Sequence, residues 1–280
     1  MLSKNELRFM LALQRMPNLG DTSAKKLLQH IGSAEGIFSE RKQNLMKIDG
    51  IGAARLRDFD PSQLLALADE ELQFIHHHHI QHHFFKDPDY PEGLKHCLDG
   101  PILLFTKGDF NLQNKRIISV VGTRNVTLRG MDTCEQLIAD LSPLNPVIVS
   151  GFAYGVDITA HKAALEHGLQ TIACLAHGLD QIYPKSHKKY VNKVLDHGCL
   201  MTEFWSSDNF DRANFLKRNR IIAGLSEATV VIESGEKGGS LVTADIANSY
   251  NREVFAIPGR ISDKQSVGCN NLIKMQQAQL

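Results

Sequence analysis

Cysteine is sparse and unpatterned in this 280-residue chain: Cys97, Cys134, Cys174, Cys199 and Cys269 are odd in number, scattered and never spaced C-x-x-C. That argues against a disulfide framework and a closed structural zinc site, and it fits a reducing compartment. Long apolar runs are missing too. No stretch approaches the roughly 20 residues a membrane helix needs, and the opening MLSKNELRFM lacks the basic, apolar, small-residue order of a secretory signal. A cytoplasmic protein with no membrane partner is the expectation. Net charge is absent, at 31 basic against 31 acidic side chains, so the total points to neither nucleic acid nor an anionic membrane. There is no G-x-x-x-x-G-K-[ST], which leaves P-loop ATP hydrolysis unsupported, and no repeat of 20 to 50 residues.

With 42% hydrophobic side chains the chain can bury a full core and is expected to hold two domains. Residues 1–61 read as a small all-α module, with glycine turns at Leu19-Gly20 and Gly50-Ile51-Gly52. Both turns resemble helix-hairpin-helix (SAM-like) units, the second more closely, and the same turns also serve as plain helix connections. Residues 62–110 read as a connector packed on the next domain: a helix through Leu64, Leu72 and Ile75, then a turn-rich segment with Pro88, Pro91 and Pro101. The run His76-His77-His78-His79 with His82 and His83 is internal and flanked by apolar residues. It reads as a helix end passing into a strand, not as a metal site.

Residues 111–280 alternate short β-branched runs with helical stretches. Strands are expected at 117–121, 147–149, 171–175, 199–202, 229–232 and 254–257, giving an α/β, doubly wound, mainly parallel sheet whose ligand edge is the carboxyl end of the strands. Small or polar residues follow each strand, including Gly122-Thr123-Arg124, Ser150-Gly151 and Glu233-Ser234-Gly235. Glycines make tight turns for their own sake, so one such turn says little. Several on one edge, where helix N-termini converge, favour a phosphate site. A nicotinamide dinucleotide fits poorly, because the first turn is G-T-R instead of G-x-G-x-x-G and no acidic residue ends the second strand.

Charge is patterned even though its sum is zero. Lys115, Arg116, Arg124 and Arg129 form one basic stretch, Lys185, Lys188, Lys189 and Lys193 a second, Arg212, Lys217, Arg218 and Arg220 a third. Solvated helix faces account for such runs unless they converge. In the third, Phe215 stands among the cations and Asn219, a mixture that suits phosphates and an unpaired base, although a core Phe is an equal reading. Asp157, His161, Asp180, Glu203 and Glu233 have no recognisable nucleophile beside them, and Asp157 reads as a helix N-cap.

At these residues the sequence resembles the DNA-processing (DprA/Smf) family. The resemblance rests on Ser119-Val120-Val121-Gly122-Thr123-Arg124, Ser150-Gly151-Phe152-Ala153-Tyr154-Gly155-Val156-Asp157, Gly178-Leu179-Asp180-Gln181-Ile182-Tyr183-Pro184, Arg218-Asn219-Arg220-Ile221-Ile222-Ala223-Gly224-Leu225-Ser226, Gly239-Ser240-Leu241-Val242-Thr243-Ala244 and Arg252-Glu253-Val254-Phe255-Ala256-Ile257-Pro258-Gly259, in family order over about residues 82–275. It implies an extended Rossmann-like fold and a homodimer with no cofactor and no catalytic chemistry. It also implies a single-stranded-DNA-binding protein that protects incoming strands in natural transformation and helps load the RecA recombinase. Carried over by position, Gly122, Thr123 and Arg124 floor the pocket, with Ser150, Gly151, Phe215, Arg218, Asn219, Arg220, Gly239 and Ser240 around it. Phe152 stands where the family usually has Leu, and Gly238 where it often has Ser. Many members continue into a winged-helix domain, and whether one has been removed after Leu280 or is naturally absent stays open. The alternative is a nucleotide-processing enzyme like the phosphoribohydrolases, which use a P-G-G-x-G-T-x-x-E signature in the corresponding place, where this chain has Lys237-Gly238-Gly239-Ser240-Leu241-Val242-Thr243-Ala244 without that Glu placement.

Overall fold

The computed structural model describes residues 2–280, which fall into two compact units: residues up to Tyr90 with Lys95–Phe105, and Pro91–Leu94 with Thr106–Leu280. The first unit opens with helices α1 (Lys4–Gln14), α2 (Asp21–Ile31), α3 (Ala34–Ser39), α4 (Lys42–Leu45) and α5 (Pro61–His77), followed by strand β1 (Gln81–Phe84). Helices α1 and α5 start where the sequence supplies caps. Ser3 and Glu6 form a reciprocal capping box, and Asp60 accepts the Ser62 and Gln63 amides ahead of a helix whose first residue is Pro61. Leu11, Leu13, Leu27, Ile37, Leu45 and Leu56 form the core of this unit.

The units divide the chain elsewhere than the expected boundaries at 61 and 110. Residues 62–90, expected as a connector on the following domain, belong to the first unit. Helix α5 buries Leu64, Ala68, Leu72 and Ile75 and is tied to α1 by a two-pronged Arg8–Asp69 pair at 2.6 and 2.7 Å. Nor is this unit all-α, since it includes β1 and the start of β2 (Leu103–Gly108), with the short α6 (Glu92–Lys95) between them in sequence. Leu19-Gly20 does join α1 to α2. Gly50-Ile51-Gly52, the better match by sequence, leads into consecutive turns over residues 53–58 and not into a helix; there Arg55 is drawn to the Ser23 hydroxyl at 2.7 Å.

The second unit runs β3 (Ile117–Val121), α7 (Leu128–Leu141), β4 (Val147–Ser150), α8 (Val156–Glu166), β5 (Thr171–Cys174), α9 (Val191–His197), β6 (Gly198–Thr202), α10 (Ala213–Leu225), β7 (Ala228–Val231), α11 (Gly239–Ser249), β8 (Glu253–Ala256) and α12 (Val267–Lys274). Its strands lie in the order β6-β5-β4-β3-β7-β8, all parallel, with Ile118 opposite Ile148, Ile172 opposite Cys199 and Val120 opposite Val230. From β3 the chain steps outward to β6, then returns through α10 to β7 on the other side of β3. Right-handed crossovers that reverse direction place α7 and α8 on one face and α10 and α11 on the other, and the reversal opens a crevice beyond the carboxyl ends of β3 and β7. Both faces are covered, which is why β4, β5 and β6 are buried throughout. Val120, Ile148, Val230 and Ile232 pack under Cys134, Ile138, Val156 and Ala160 on the α7–α8 face.

Polar residues inside the sheet are satisfied at short range. Ser119 and Thr229 share a hydrogen bond of 2.8 Å across β3 and β7, and Ser150 donates to the Val120 carbonyl at 2.6 Å. Thr171 donates to the Ile148 carbonyl at 2.9 Å, so its oxygen accepts from His161 Nδ1 at 2.7 Å. His161 Nε2 is buried with no partner among the described residues. Burial pushes this imidazole down to about 3, helped by nearby His187 and Arg218. The unfolded chain therefore takes up the proton first as pH falls. The stability contributed by neutral His161 is complete above about pH 6.5 and is lost as pH drops toward 3. Asp157, whose pKa burial raises, acts in the opposite sense, so the comparison with a variant isolates the histidine. We expect His161→Gln to flatten the acid limb of stability by about 1 kcal/mol per pH unit below pH 6.5 in urea unfolding. An unchanged slope contradicts the assignment.

Candidate functional site

A cleft of about 530 Å³ opens where the topology reverses. Its floor is the turn after β3. Thr123 donates its amide to the Glu233 carbonyl at 2.7 Å, which ties the ends of β3 and β7 together. Gly122 is required there because a Cβ would run into Val156 and the Glu233 carbonyl. Gly155 (φ +75°) lets the next turn press against the backbone of Thr123 and Arg124. Between these turns Phe152 holds a left-handed conformation (φ +58°), an uncommon state for a bulky residue, with its ring buried between His161 and His187.

Among the described residues four helices of more than ten residues begin at this edge after a strand, α7, α8, α10 and α11. In α10 the Ala213 amide is taken by Asp211 at 2.8 Å, and α7 and α8 have their N-termini filled by the protein itself. Glu233 accepts from Thr127 N at 2.9 Å and Thr127 Oγ1 at 2.6 Å, so a buried carboxylate sits at the start of α7. In α8 the N-cap is Gly155, not Asp157. Asp157 lies buried in the first turn, accepts the Ala153 amide at 3.3 Å, and Val156 N is taken by the Thr123 carbonyl. Helix α11 differs: among the described residues no side chain caps it, and Gly238, Gly239 and Ser240 line the cleft. Asn219 fixes this helix start by donating to the Gly239 carbonyl at 3.2 Å. Amides of an uncapped helix N-terminus attract an anion.

Four cations, Arg124, Arg212, Arg218 and Lys237, line the cleft against one carboxylate, Asp157. Burial raises the pKa of that carboxyl, opposed by Arg218, the Ala153 amide and Arg124. Arg218 is itself buried. Its Nη1 donates to the Gly151 carbonyl at 2.6 Å and to the Cys174 carbonyl, bridging the ends of β4 and β5. Phe215 lies against two guanidinium groups, with Arg124 5.1 Å and Arg218 5.9 Å from its ring centre.

Eight of the eleven residues expected at the pocket therefore meet in one cleft: Gly122, Thr123, Arg124, Phe215, Arg218, Asn219, Gly239 and Ser240. The other three do not line it. Ser150 is wholly buried and bonded to the Val120 carbonyl. Gly151 serves Arg218, since a Cβ there would lie 2.5–2.6 Å from the guanidinium. Arg220 points away into an ion pair with Glu203, both side chains largely buried. The three basic runs do not all converge either. Arg124, Arg212 and Arg218 meet, whereas Arg116 pairs with Glu227 at 2.7 Å at the opposite end of β3. Lys237 and Asn125 are cleft residues that the motifs did not single out. The glycines beside Lys237 were the available signal.

The family model for DNA recombination-mediator protein A matches residues 81–280. The chain belongs to the DprA/Smf family of DNA-processing proteins. Within that family, Protein Smf of Synechocystis is 32% identical over 279 residues, covering 97% of this chain and 69% of that protein. The X-ray structure of DprA from Streptococcus pneumoniae matches with a TM-score of 0.78 at 31% identity, covering 100% of this chain and 95% of that one. The DNA processing protein A of Helicobacter pylori, solved for its single-stranded DNA binding mode, matches with a TM-score of 0.64 at 30% identity over 72% of this chain and 91% of that one. The chain spans between 46% and 69% of the length of the curated DprA/Smf relatives it matches.

Arg124 and Arg218 are expected to differ in kind. Arg218→Ala strips two carbonyls of their donor and leaves Asp157 buried without its counter-charge, at a cost of about 3–5 kcal/mol. Arg124→Ala should cost under about 1 kcal/mol. Denaturant unfolding of both variants checks this, and equal losses would contradict a structural role specific to Arg218.

Proposed function

We propose that this protein binds single-stranded DNA in the cleft, protects incoming strands during natural transformation and helps load the RecA recombinase, acting as a cytoplasmic homodimer. The observation that carries the reading is the meeting of four cations with the uncapped N-terminus of α11 at the topological switch of the sheet. A phosphate diester is the anion that suits it: singly charged, repeated along a strand, and recognised by guanidinium groups and backbone amides. A concave site at the sheet edge admits a flexible strand with unpaired bases and excludes a stiff duplex. The single-stranded DNA binding mode of the Helicobacter pylori relative supports the choice of ligand, and the family's description as recombination mediators supports the handover to a recombinase.

The reading assigns the cleft no covalent chemistry. Asp157 is engaged by Ala153 and Arg218, and His161 is committed to Thr171 in the core. Such a site binds; the bound strand supplies charge neutralisation and gains protection from being enclosed.

The test is fluorescence anisotropy of a labelled oligonucleotide, single- against double-stranded, across a salt series. Single strands are expected to bind more tightly, with affinity falling steeply as salt rises. Equal affinity for both forms overturns the reading. Arg124→Ala should weaken all sequences alike and reduce the magnitude of the salt slope by about 0.7, the value for one phosphate contact on a single strand. Arg220→Ala should leave the slope unchanged, because its charge is spent on Glu203.

A further inference from the structure

Beside the cleft, three aromatic rings form a continuous surface. Phe215 meets Phe210 at 5.6 Å and Tyr183 at 5.8 Å between ring centres, and Tyr183 meets Phe210 at 4.7 Å. They differ in what they are free to do. Phe215 already lies against two guanidinium groups at the cleft wall, whereas Tyr183 and Phe210 are 39% and 44% exposed. Two large aromatic rings held together in water, on a surface continuous with a cationic cleft, are a recognition feature and not a packing need.

The loop that presents Tyr183 is fixed from below. His177 is buried, its Nδ1 donates to the Gly178 carbonyl at 2.8 Å, and its Nε2 accepts the Tyr183 amide at 3.2 Å. Two residues beyond Tyr183 begins the 3-10 segment Lys185–Tyr190, which carries exposed Lys185, Lys188 and Lys189. The nearby acids Asp208 and Asp211 are occupied by the backbone amides of Trp205 and Ala213, at 3.0 and 2.8 Å.

We propose that Tyr183 and Phe210 form a second base-stacking platform that extends the strand-binding site out of the cleft toward the Lys185–Lys189 segment. The inference rests on the single-stranded DNA reading and adds a direction and a length to it. A strand seated with phosphates at Arg124 and α11 leaves past Phe215, lays its next bases on Tyr183 and Phe210, and carries its backbone over the lysines. Stacking of this kind tolerates any sequence, because every base has a π-face.

The test is anisotropy with an oligothymidylate series from about two to about twelve nucleotides, a range set by typical single-strand site sizes, on the full chain. Wild-type affinity should grow with length beyond the shortest oligonucleotides. In Tyr183→Ala/Phe210→Ala the shortest should bind as in wild type, while the longer ones lose about tenfold or more. Tyr183→Phe should restore the length dependence, and abasic sites at the outer positions should abolish it in wild type. Unchanged growth of affinity with length in the double variant overturns the platform and leaves cleft binding intact. Equal loss at every length also overturns it, by assigning both rings to the cleft. Failure of wild type to bind any member of the series overturns the platform and the single-strand reading together.

Discussion

The guanidinium of Arg218 is buried where the carboxyl ends of β4 and β5 would otherwise leave carbonyls unpaired, and it bonds to Gly151 and Cys174 there while facing Asp157. Much of the functional edge depends on this placement. Gly151 has no side chain because the guanidinium needs its space. Asp157 can remain buried because a cation faces it, and from that position it holds the Ala153 amide and the strained turn through Phe152. A buried charge pair of this sort adds little net stability, and removing one member costs far more than the pair supplies. Its worth is in the geometry it enforces on the neighbouring turns.

The same edge distributes negative charge by occupancy. Glu233 fills the start of α7, Asp157 and the Thr123 carbonyl fill that of α8, and α11 begins uncapped with Gly238 at its N-cap. Arg124, Arg212 and Lys237 therefore stand beside an uncapped α11, while the starts of α7 and α8 are already satisfied. Filling the starts of α7 and α8 removes two of the helix N-termini on this edge that would otherwise draw an anion. Phe215 holds the Arg124 guanidinium over its ring, which orders that long side chain before any ligand arrives.

The sheet was legible in the sequence because fully buried parallel strands are written as short β-branched runs: Ile117–Val121 and Val147–Val149 lie within β3 and β4. The glycine turns after them marked the edge that carries the cleft, since topology alone brings them there. What composition hides is direction. Arg218, Asn219 and Arg220 are consecutive on α10, yet a helix turns about 100° per residue, so Arg218 enters the sheet edge and Arg220 meets Glu203 on another side. No local pattern announces Glu203, 17 residues upstream, as that partner. The unit boundary was missed for a similar reason: α5 is claimed by α1 through Arg8 and Asp69, 61 residues apart. The turn at Gly50-Gly52 looked like a helix start because glycine marks turns of every kind.

If a strand's phosphate lies against the start of α11, backbone amides report that contact most directly. Amide chemical shifts recorded while a short oligothymidylate is titrated into the full chain should move most at Gly239 and Ser240 and at the Thr123–Arg124 turn, with the Thr127 and Gly130 amides, already held by the Glu233 carboxylate and the Thr127 hydroxyl, shifting little. Large shifts confined to the α7 start or to residues outside the cleft, with Gly239 and Ser240 unmoved at saturation, would contradict the account.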